Sequence, residues 1–179
     1  MKKKINVFDY AGDIMKALDK GVLITTKADG KVDSMTLGWG TLGIDWPPPV
    51  FTAYIRKSRF TKEQLEKNPE FTVNVPYGAF DPKILGVCGS KSGRDMDKAK
   101  ELGLTLVDPE VISVPAVKEL PLTLECRVVC VEKQDTDTMP EEILKEHYPS
   151  EKPTPFGGSL ENYHYAFYGQ IVSAYMIED

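Results

Sequence analysis

Histidine and cysteine are scarce in this sequence, which has two histidines and three cysteines among 179 residues. Neither His147 nor His164 has carboxylates clustered beside it at ligand spacing, so we expect no metal site. Cys126 and Cys130 are four apart on a predicted strand, which separates them by roughly 13 Å and prevents a disulfide or shared chelation. The low cysteine content favours a reducing compartment, and we expect the cytoplasm.

Long apolar runs are also missing. No stretch approaches the roughly 20 apolar residues that cross a bilayer, and the basic start reaches Asp9 before a secretory core develops. We therefore expect neither membrane insertion nor secretion. Repeats and low-complexity linkers are absent, which predicts one domain over residues 1–179. The formal net charge of -5 opposes binding to nucleic-acid phosphates, so we exclude nucleic acid as a partner.

What the sequence does contain is a series of strand patterns. Asp29 and Gly30 stand between two β-rich runs, residues 21–27 and 32–39, and this arrangement predicts a hairpin. Further strands are predicted at 50–56, 71–75, 122–132 and 165–177, with a bulge at Gly169. The strands come singly or in hairpins rather than in βαβ alternation. The pattern therefore predicts a mainly β, α+β fold, an antiparallel barrel with peripheral helices.

Helix signals fall between these strands. Thr61 and Gln64 have the spacing of a capping box, in which the threonine caps a short helix and the glutamine reaches back to it. A second helix is predicted with Pro82 at its first position, because a proline is tolerated there. Two more are predicted at 94–102, where Gly103 ends the helix, and at 141–147.

Residues 38–43 match the G-x-G-x-x-G fingerprint of dinucleotide-binding proteins. That fingerprint places a pyrophosphate at the N-terminus of the helix it opens, whereas here the next residues are Ile-Asp-Trp-Pro-Pro-Pro. We therefore reject a dinucleotide site and expect the glycines to form a tight reversal at a strand end. Of the two flanking tryptophans, we expect Trp39 in the core and Trp46 at the mouth of a binding site.

Two segments have the composition of anion sites. Residues 56–61, Arg-Lys-Ser-Arg-Phe-Thr, place guanidinium, ammonium and hydroxyl donors between a strand and a helix. Residues 90–95, Ser-Lys-Ser-Gly-Arg-Asp, place similar donors before the next predicted helix. Each segment taken singly is better explained by helix capping and ordinary surface charge. Their order along the chain is what favours a binding function.

Four segments follow one another in a recognisable order: Ser-Met-Thr-Leu-Gly-Trp-Gly at 34–40, residues 49–61, Phe-Thr-Val-Asn-Val-Pro at 71–76, and Gly-Ser-Lys-Ser-Gly-Arg-Asp-Met-Asp-Lys at 89–98. This order resembles that of the flavin reductase-like, FMN-binding split-barrel proteins, a family that includes flavoredoxin. The resemblance covers most of the chain. Residues 138–160 match no segment of that family, and Asp33-Ser34 departs from its Asn-containing form.

The resemblance implies a non-covalent FMN site. Cationic and hydroxyl donors would hold the phosphate and ribityl chain, backbone amides at 34–36 would meet the ring edge, and the Asn74 amide would suit the pyrimidine edge. Because the flavin itself supplies the redox chemistry, no catalytic side chain is expected. The implied cofactor-binding residues are Ser34, Met35, Thr36, Arg56, Lys57, Ser58, Thr61, Asn74, Val75, Ser90, Lys91, Ser92 and Arg94.

The activity that the resemblance implies is an FMN-dependent oxidoreductase of the flavin reductase or flavoredoxin type. Electrons would come from NAD(P)H or a redox protein, and the protein would be a homodimer with the flavin near the subunit interface. Two alternatives use the same residues: a flavin carrier or electron-transfer module without turnover, and a small barrel that binds another phosphorylated ligand. His164, at the start of the last strand, is expected to be structural or on the surface rather than in a cleft.

Overall fold

An open antiparallel sheet of eight strands organises the computed structural model, which describes residues 1–149 and 159–178. Two short strands, β7 and β8, form a separate pair. In chain order the strands are β1 (Lys2–Lys4), β2 (Val22–Ala28), β3 (Lys31–Leu37), β4 (Gly40–Gly43), β5 (Val50–Arg56), β6 (Glu70–Val75), β7 (Leu106–Val107), β8 (Ala116–Val117), β9 (Leu122–Lys133) and β10 (His164–Ile177).

The large sheet has the spatial order β3-β2-β6-β9-β10-β5-β4, with β1 added against β10. All of its pairings are antiparallel, and the sheet does not close, because β3 and β4 remain at its two ends. This confirms the predicted mainly β architecture of an antiparallel, split barrel. The open ends matter for function, because β3 and the segment after it border the candidate site.

Five α-helices in the described residues surround the sheet. They are α1 (Ala11–Lys20), α2 (Phe60–Lys67), α3 (Lys83–Ser90), α4 (Lys98–Leu102) and α5 (Glu141–His147), and two short 3-10 helices cover Val7–Tyr10 and Thr136–Thr138. In the part of the chain that the structure describes, no helix is long and apolar enough to cross a membrane. The helix patterns at 141–147 and after Pro82 are confirmed, whereas the sequence patterns missed α1.

The predicted hairpin is formed by β2 and β3. Both turn residues have positive φ, 51° at Asp29 and 76° at Gly30, as a two-residue hairpin turn of type I′ requires. The turn fixes the register in which Thr25 lies opposite Ser34 and Ile24 opposite Met35. The pleat then sends Ile24 and Met35 into the core and turns Thr25 and Ser34 to the other face.

The inner face of the sheet carries the main apolar core. Ile24, Phe51, Phe71 and Leu124 are fully buried there, and each stabilises the fold by about 1.5–3 kcal/mol. The predicted bulge is present in β10, where the register against β9 shifts between Tyr168 and Gly169. A Cβ atom at Gly169 would overlap the Phe71 ring, so the core requires glycine at this position.

Two helix starts differ from their predictions. The expected capping box is wrong: Arg59 is the N-cap of α2 and makes no side-chain cap bond, while Thr61 is buried inside the first turn. Gln64 instead accepts a hydrogen bond from Thr26 and donates to the Lys31 carbonyl at 3.0 Å. The buried Gln64 amide is therefore hydrogen-bonded to the β2–β3 hairpin, and it does not reach back to cap the helix.

The helix predicted from residue 94 begins later. Asp97 caps α4 by accepting a hydrogen bond from the Lys100 backbone at 3.1 Å, so the helix starts at Lys98. It ends as predicted, with Gly103 at a φ of 63°. Residues 91–97 are thus a connection between α3 and α4, and its donors Ser92 and Arg94 follow the C-terminus of α3 and do not lie at the first turn of α4.

The glycine-rich segment forms β4 and then continues into residues 44–49, which contain no helix. Its conformation agrees with the rejection of a dinucleotide fingerprint. Gly40 is needed because a Cβ atom there would lie 2.8 Å from the Thr52 carbonyl oxygen of β5. The close approach of β4 to β5 leaves Trp39 at a strand-to-strand crossing, where its carbonyl accepts a hydrogen bond from the Tyr54 backbone at 3.1 Å.

Candidate functional site

A cavity of about 180 Å³ lies where the end of β3 meets the ends of β5 and β10. Residues 35–39 form one side of it, Tyr54 and Arg56 form another, and Arg59 and His164 complete the lining. We call this space the larger cavity. It exists because β3 is an edge strand, so no further strand fills the space beside it.

A second space, of about 10 Å³, adjoins the first, since Met35 and Arg59 line both. We call it the smaller cavity. It is bordered by the start of α2, with Phe60 and Thr61, and by residues 91–93 of the connection between α3 and α4. Asp33 and Lys98 form its remaining wall. The smaller cavity is therefore rich in cations and hydroxyls.

The two cationic segments of the sequence converge at these cavities. Arg94 donates two hydrogen bonds of 3.2 Å to the Ser58 carbonyl and is ion-paired with Glu63 on α2. Arg59 donates to the Gly89 carbonyl at 3.3 Å. The two segments are therefore in contact with each other in the structure. Contact of these residues with a flavin stays a prediction.

Positive charge is concentrated beside the cavities. Burial lowers the pKa of Arg59, and the neighbouring charge of Arg56 lowers that pKa further. The pKa of Arg56 is also lowered by burial. The N-terminus of α2, where Arg59 is the N-cap and backbone N–H groups point outward, therefore favours an anion.

Asp33 and Lys98 form a buried ion pair in the wall of the smaller cavity. Lys98 Nζ lies 2.9 Å from an Asp33 carboxylate oxygen, and each side chain is only 2% exposed. Lys98 also donates to the Ser34 carbonyl at 2.6 Å. Burial raises the pKa of Asp33, and this effect outweighs the lowering by Lys98. Gly93 packs so closely that a Cβ atom there would overlap the Asp33 carboxylate.

An aromatic group closes the other side of the larger cavity. The Arg56 guanidinium lies 5.3 Å from the ring centroids of both Trp39 and Tyr148. Its nitrogens donate to the carbonyls of His147 and Asn162, each at 3.3 Å. Trp39 is 42% exposed, so the expectation of a core tryptophan is wrong. The crossing segment between β3 and β4 turns this side chain outward.

His164 belongs to the same group. Its Nδ1 lies 2.6 Å from the Tyr148 hydroxyl, and its ring stacks against Trp39 with centroids 4.8 Å apart. Burial, together with the charges of Arg56 and Arg59, lowers the pKa of His164 to about 3, so the imidazole is neutral at pH 7. The histidine is structural, as expected, but it also lines the larger cavity, which was not expected.

The first group of predicted site residues lies on β3. The Ser34 hydroxyl is buried and bonded to that of Thr25 at 2.8 Å. Met35 lines both cavities, and Thr36 lines the larger one while donating to the Leu85 carbonyl at 2.6 Å. The backbone of this strand therefore reaches the cavities as predicted, whereas the Ser34 hydroxyl is held within the sheet.

Asn74 and Val75 do not belong to the site. Both are fully buried on β6, and neither lines either cavity. The Asn74 carbonyl accepts from Thr25 and Thr72, and its amide donates to Thr123 at 3.1 Å. The structure thus contradicts the expected ring contact, because this amide connects three strands of the sheet and its groups are already bonded.

The remaining predicted residues divide between the cavities and the surface. Thr61, Lys91 and Ser92 line the smaller cavity, and Arg56 lines the larger one. Lys57, Ser58, Ser90 and Arg94 line neither. The Ser90 hydroxyl donates to the Gly86 carbonyl and so is used within the last turn of α3. Arg94 connects its loop to residue 58 by hydrogen bonds to the Ser58 carbonyl.

Besides Trp39, which was expected in the core, the cavities are lined by residues that sequence reasoning did not assign to the site: Asp33, Leu37, Gly38, Tyr54, Arg59, Phe60, Gly93, Lys98 and His164. Arg59 stood within the cationic segment and was the easiest to find. His164 becomes a neighbour only because β10 pairs with β5, which brings it opposite Arg56. No local pattern contains that information.

Comparison with known proteins assigns the chain to a family. The family model described as "Flavin reductase like domain" matches residues 15–179. The chain belongs to the flavin reductase-like family. Membership supports a flavin-binding redox role, and the open antiparallel sheet agrees with the barrels of this family. The predicted family resemblance is thereby confirmed.

Individual relatives agree with this assignment. An uncharacterized protein of Archaeoglobus fulgidus is 35% identical over 99 residues, which cover 55% of each chain. The matched region thus spans little more than half the length of that relative. Among solved structures, the flavoredoxin of Methanosarcina acetivorans is 29% identical, with a TM-score of 0.64, over 88% of this chain and 68% of that one. The flavoredoxin of Desulfovibrio vulgaris (Miyazaki F), 21% identical, has the same TM-score over 88% of this chain and 69% of that one, and it supports the fold.

Proposed function

We propose that this protein binds FMN non-covalently at the two adjoining cavities and serves as an FMN-dependent oxidoreductase of the flavin reductase or flavoredoxin type. One observation carries the proposal: two cationic loops meet at the start of α2, directly beside a cavity walled by aromatic side chains. A phosphate and a planar ring are the two chemically distinct parts of FMN. The likeness to the M. acetivorans flavoredoxin supports the same role.

The residues at hand fit the phosphate. Arg59 and Lys91 provide cationic donors, and Thr61 and Ser92 provide hydroxyls around the smaller cavity. The backbone N–H groups at the start of α2 add their dipoles. We therefore assign the phosphate to Arg59 rather than to Arg56, whose nitrogens already donate to two carbonyls and whose guanidinium is stacked between two rings.

The larger cavity fits one edge of the isoalloxazine. The backbone of residues 35–38 can donate to ring carbonyls, and Trp39 and Tyr54 shield the ring from water. FMN, when bound, supplies the redox chemistry by accepting a hydride or electrons. His164 supplies no proton to this chemistry at pH 7, because its neutral form has no acidic proton to spare and its Nδ1 already faces Tyr148.

A homodimer is part of the proposal. A cavity of about 180 Å³ is smaller than the roughly 300–1,000 Å³ of typical small-molecule sites, so one chain encloses only part of a flavin. A second copy placed over the open side would complete the pocket. We also propose that residues 1–179 act as one domain in the cytoplasm, where the three free cysteines would stay reduced.

The decisive experiment is the absorption spectrum of the purified protein, followed by titration of the flavin-free form with FMN and with riboflavin. A yellow protein, or quenching of flavin fluorescence on titration, supports the flavin site. Sedimentation of the loaded protein tests the dimer. A protein that stays colourless and does not bind FMN would instead favour a barrel for another phosphorylated ligand.

Arg59→Ala tests the phosphate assignment. Loss of a charge-assisted contact should weaken FMN binding by about 1.5–3 kcal/mol, which is roughly 10- to 150-fold in Kd. Riboflavin lacks the phosphate, so its affinity should change little. Arg127→Ala, on β9 and ion-paired with Glu70 outside both cavities, is the matched control. An equal loss for FMN and riboflavin would contradict the assignment.

Electron donors are distinguished by mixing the loaded protein with NADH or NADPH in the absence of oxygen. Bleaching of the flavin absorbance within seconds supports a nicotinamide-dependent reductase. No bleaching with either nucleotide, combined with reduction by a low-potential redox protein, supports an electron-transfer module that takes its electrons from a protein partner.

A further inference from the structure

The strand ends that border the larger cavity also carry lysines and tyrosines. The rings of Tyr163 and Tyr165 lie side by side with centroids 5.5 Å apart. Lys133 Nζ is 4.2 Å and Lys57 Nζ 5.7 Å from the Tyr163 centroid, and Lys62 Nζ is 4.8 Å from that of Tyr165. We call these five residues the lysine–tyrosine patch. Each ring–cation contact holds an ammonium group beside a tyrosine ring.

The patch carries positive charge on a negatively charged molecule. Lys57 and Lys133 are exposed, and neither has a carboxylate within 4.0 Å among the residues that the structure describes. Lys62 is neutralised by Glu66 at 2.5 Å. The pKa of Tyr163 is lowered by its hydrogen bond with Tyr165 and also by the charges of Lys133 and Lys57. The whole chain has a net charge of -5, so this local excess is not a consequence of composition.

The patch lies directly behind the candidate flavin site. Arg56 and His164, which line the larger cavity, are paired across β5 and β10. Lys57, Tyr163 and Tyr165 are their neighbours in the chain. Because successive side chains of a strand point to opposite faces, the patch and the cavity occupy opposite sides of the same strand ends. A molecule that docks on the patch is therefore close to a bound flavin.

We propose that the lysine–tyrosine patch docks an acidic electron-carrier protein, an inference that rests on the proposed flavin function. The two tyrosines, each partly buried, provide aromatic surface of the kind that protein interfaces favour, and the exposed lysines Lys57 and Lys133 provide complementary charge for orientation and fast association. The net charge of -5 disfavours nonspecific approach of an acidic partner, so such a partner needs a local cationic surface like this one. A nicotinamide donor is small and needs only the cavity, whereas a protein donor or acceptor needs a surface of this kind.

The test uses an acidic plant-type [2Fe–2S] ferredoxin as the probe and measures its binding to the full chain by calorimetry. Binding is measured with and without FMN, at about 0.02 M and at about 0.15 M ionic strength. We expect affinity to fall as salt rises. Replacing both unpaired lysines, Lys57→Glu with Lys133→Glu, should weaken binding at low salt by at least about tenfold.

A matched control reverses the same number of charges elsewhere. Lys4→Glu with Lys20→Glu changes the net charge equally, but Lys4 lies opposite Tyr175, ten residues along β10 from the patch. Equal weakening by both double variants would mean that only bulk charge matters, and it would overturn the proposal. An acidic protein without a redox centre that binds as tightly as the ferredoxin would overturn it as well.

The failure of this inference can be separated from failure of the proposed function. Docking is measured on the flavin-free chain too, so loss of FMN binding does not remove the readout. The substituted lysines are exposed, and thermal unfolding of each variant checks that the fold is retained. Salt-independent binding, or no binding at low salt by a folded protein that does bind FMN, would refute the patch while leaving the flavin site intact.

Discussion

Replacing Lys98 by methionine removes the cation of the buried ion pair and should give a pH-dependent loss of stability. Methionine has a similar length and no charge, so the substitution leaves the Asp33 carboxylate buried without its cation. Breaking a buried pair in this way costs about 3–5 kcal/mol when the remaining group stays ionised. That is a large share of the roughly 5–15 kcal/mol by which domains are stable.

The pH dependence follows from the direction of the pKa shift. Burial already raises the pKa of Asp33 above 3.8 in the folded wild type, and removing Lys98 raises this pKa further. Between 3.8 and the folded value, the native state binds more protons than the unfolded state. Stability therefore falls as pH rises, by about 1.4 kcal/mol per unit, over a window that is wider in the variant.

The assay is urea unfolding, followed by tryptophan fluorescence at pH 4 and pH 7. The buried Asp33 carboxyl has a raised pKa, so it is more protonated at pH 4 than at pH 7, and the loss should be smaller at pH 4. At pH 7 the full loss should appear. Lys100→Met, on the exposed face of the same helix, should change stability by less than about 0.5 kcal/mol. Equal losses at the two pH values would refute the reasoning.

Two further predictions concern the walls of the cavities. His164→Gln should reduce the pH dependence of stability in acid. The fold lowers the pKa of His164 from 6.5 to about 3, so the free energy of unfolding of the wild type should fall by about 1.4 kcal/mol per pH unit as pH drops from about 6.5. Urea unfolding at pH 7 and pH 5 measures whether the variant loses this slope. Gly93→Ala should cost about 1–3 kcal/mol and weaken FMN binding, because its Cβ would overlap the Asp33 carboxylate that Lys98 holds in place. Gly86→Ala, where a Cβ meets no atom within 4 Å, should be neutral or stabilising in the same unfolding assay, and a reversed order of the two alanine variants would contradict this packing argument.

Local patterns predicted the elements that depend on neighbours in the chain. The Asp29–Gly30 turn, the strand at 50–56 and the helix at 141–147 were found because turn chemistry, alternation and helix periodicity act over a few residues. β4 was missed because it depends on its partner strand more than on its own residues: Gly40–Gly43 pairs with β5, the next strand along the chain. Its glycines have little strand propensity by themselves.

The candidate site shows the same division. The two cationic loops were recognisable from their composition and order, and the structure brings them together. Asn74 could not be excluded from the sequence, because its burial results from hydrogen bonds to Thr25 and Thr123 on two other strands. Conversely, His164 had no local signal for the cavity and arrives there through the pairing of β10 with β5.

The sequence by itself determined the strands, the hairpin turn and the clustering of cations in two loops, since each of these depends on residues a few positions apart. Only the tertiary structure decided which side chains meet. Pairing of β5 with β10 places His164 opposite Arg56. Burial of Asp33 leaves its carboxylate ion-paired with Lys98 and not in contact with solvent. Charges and aromatic rings that are far apart in the chain, as Arg56 and His164 are, become a site only when the sheet registers are fixed, because register decides which face each side chain occupies.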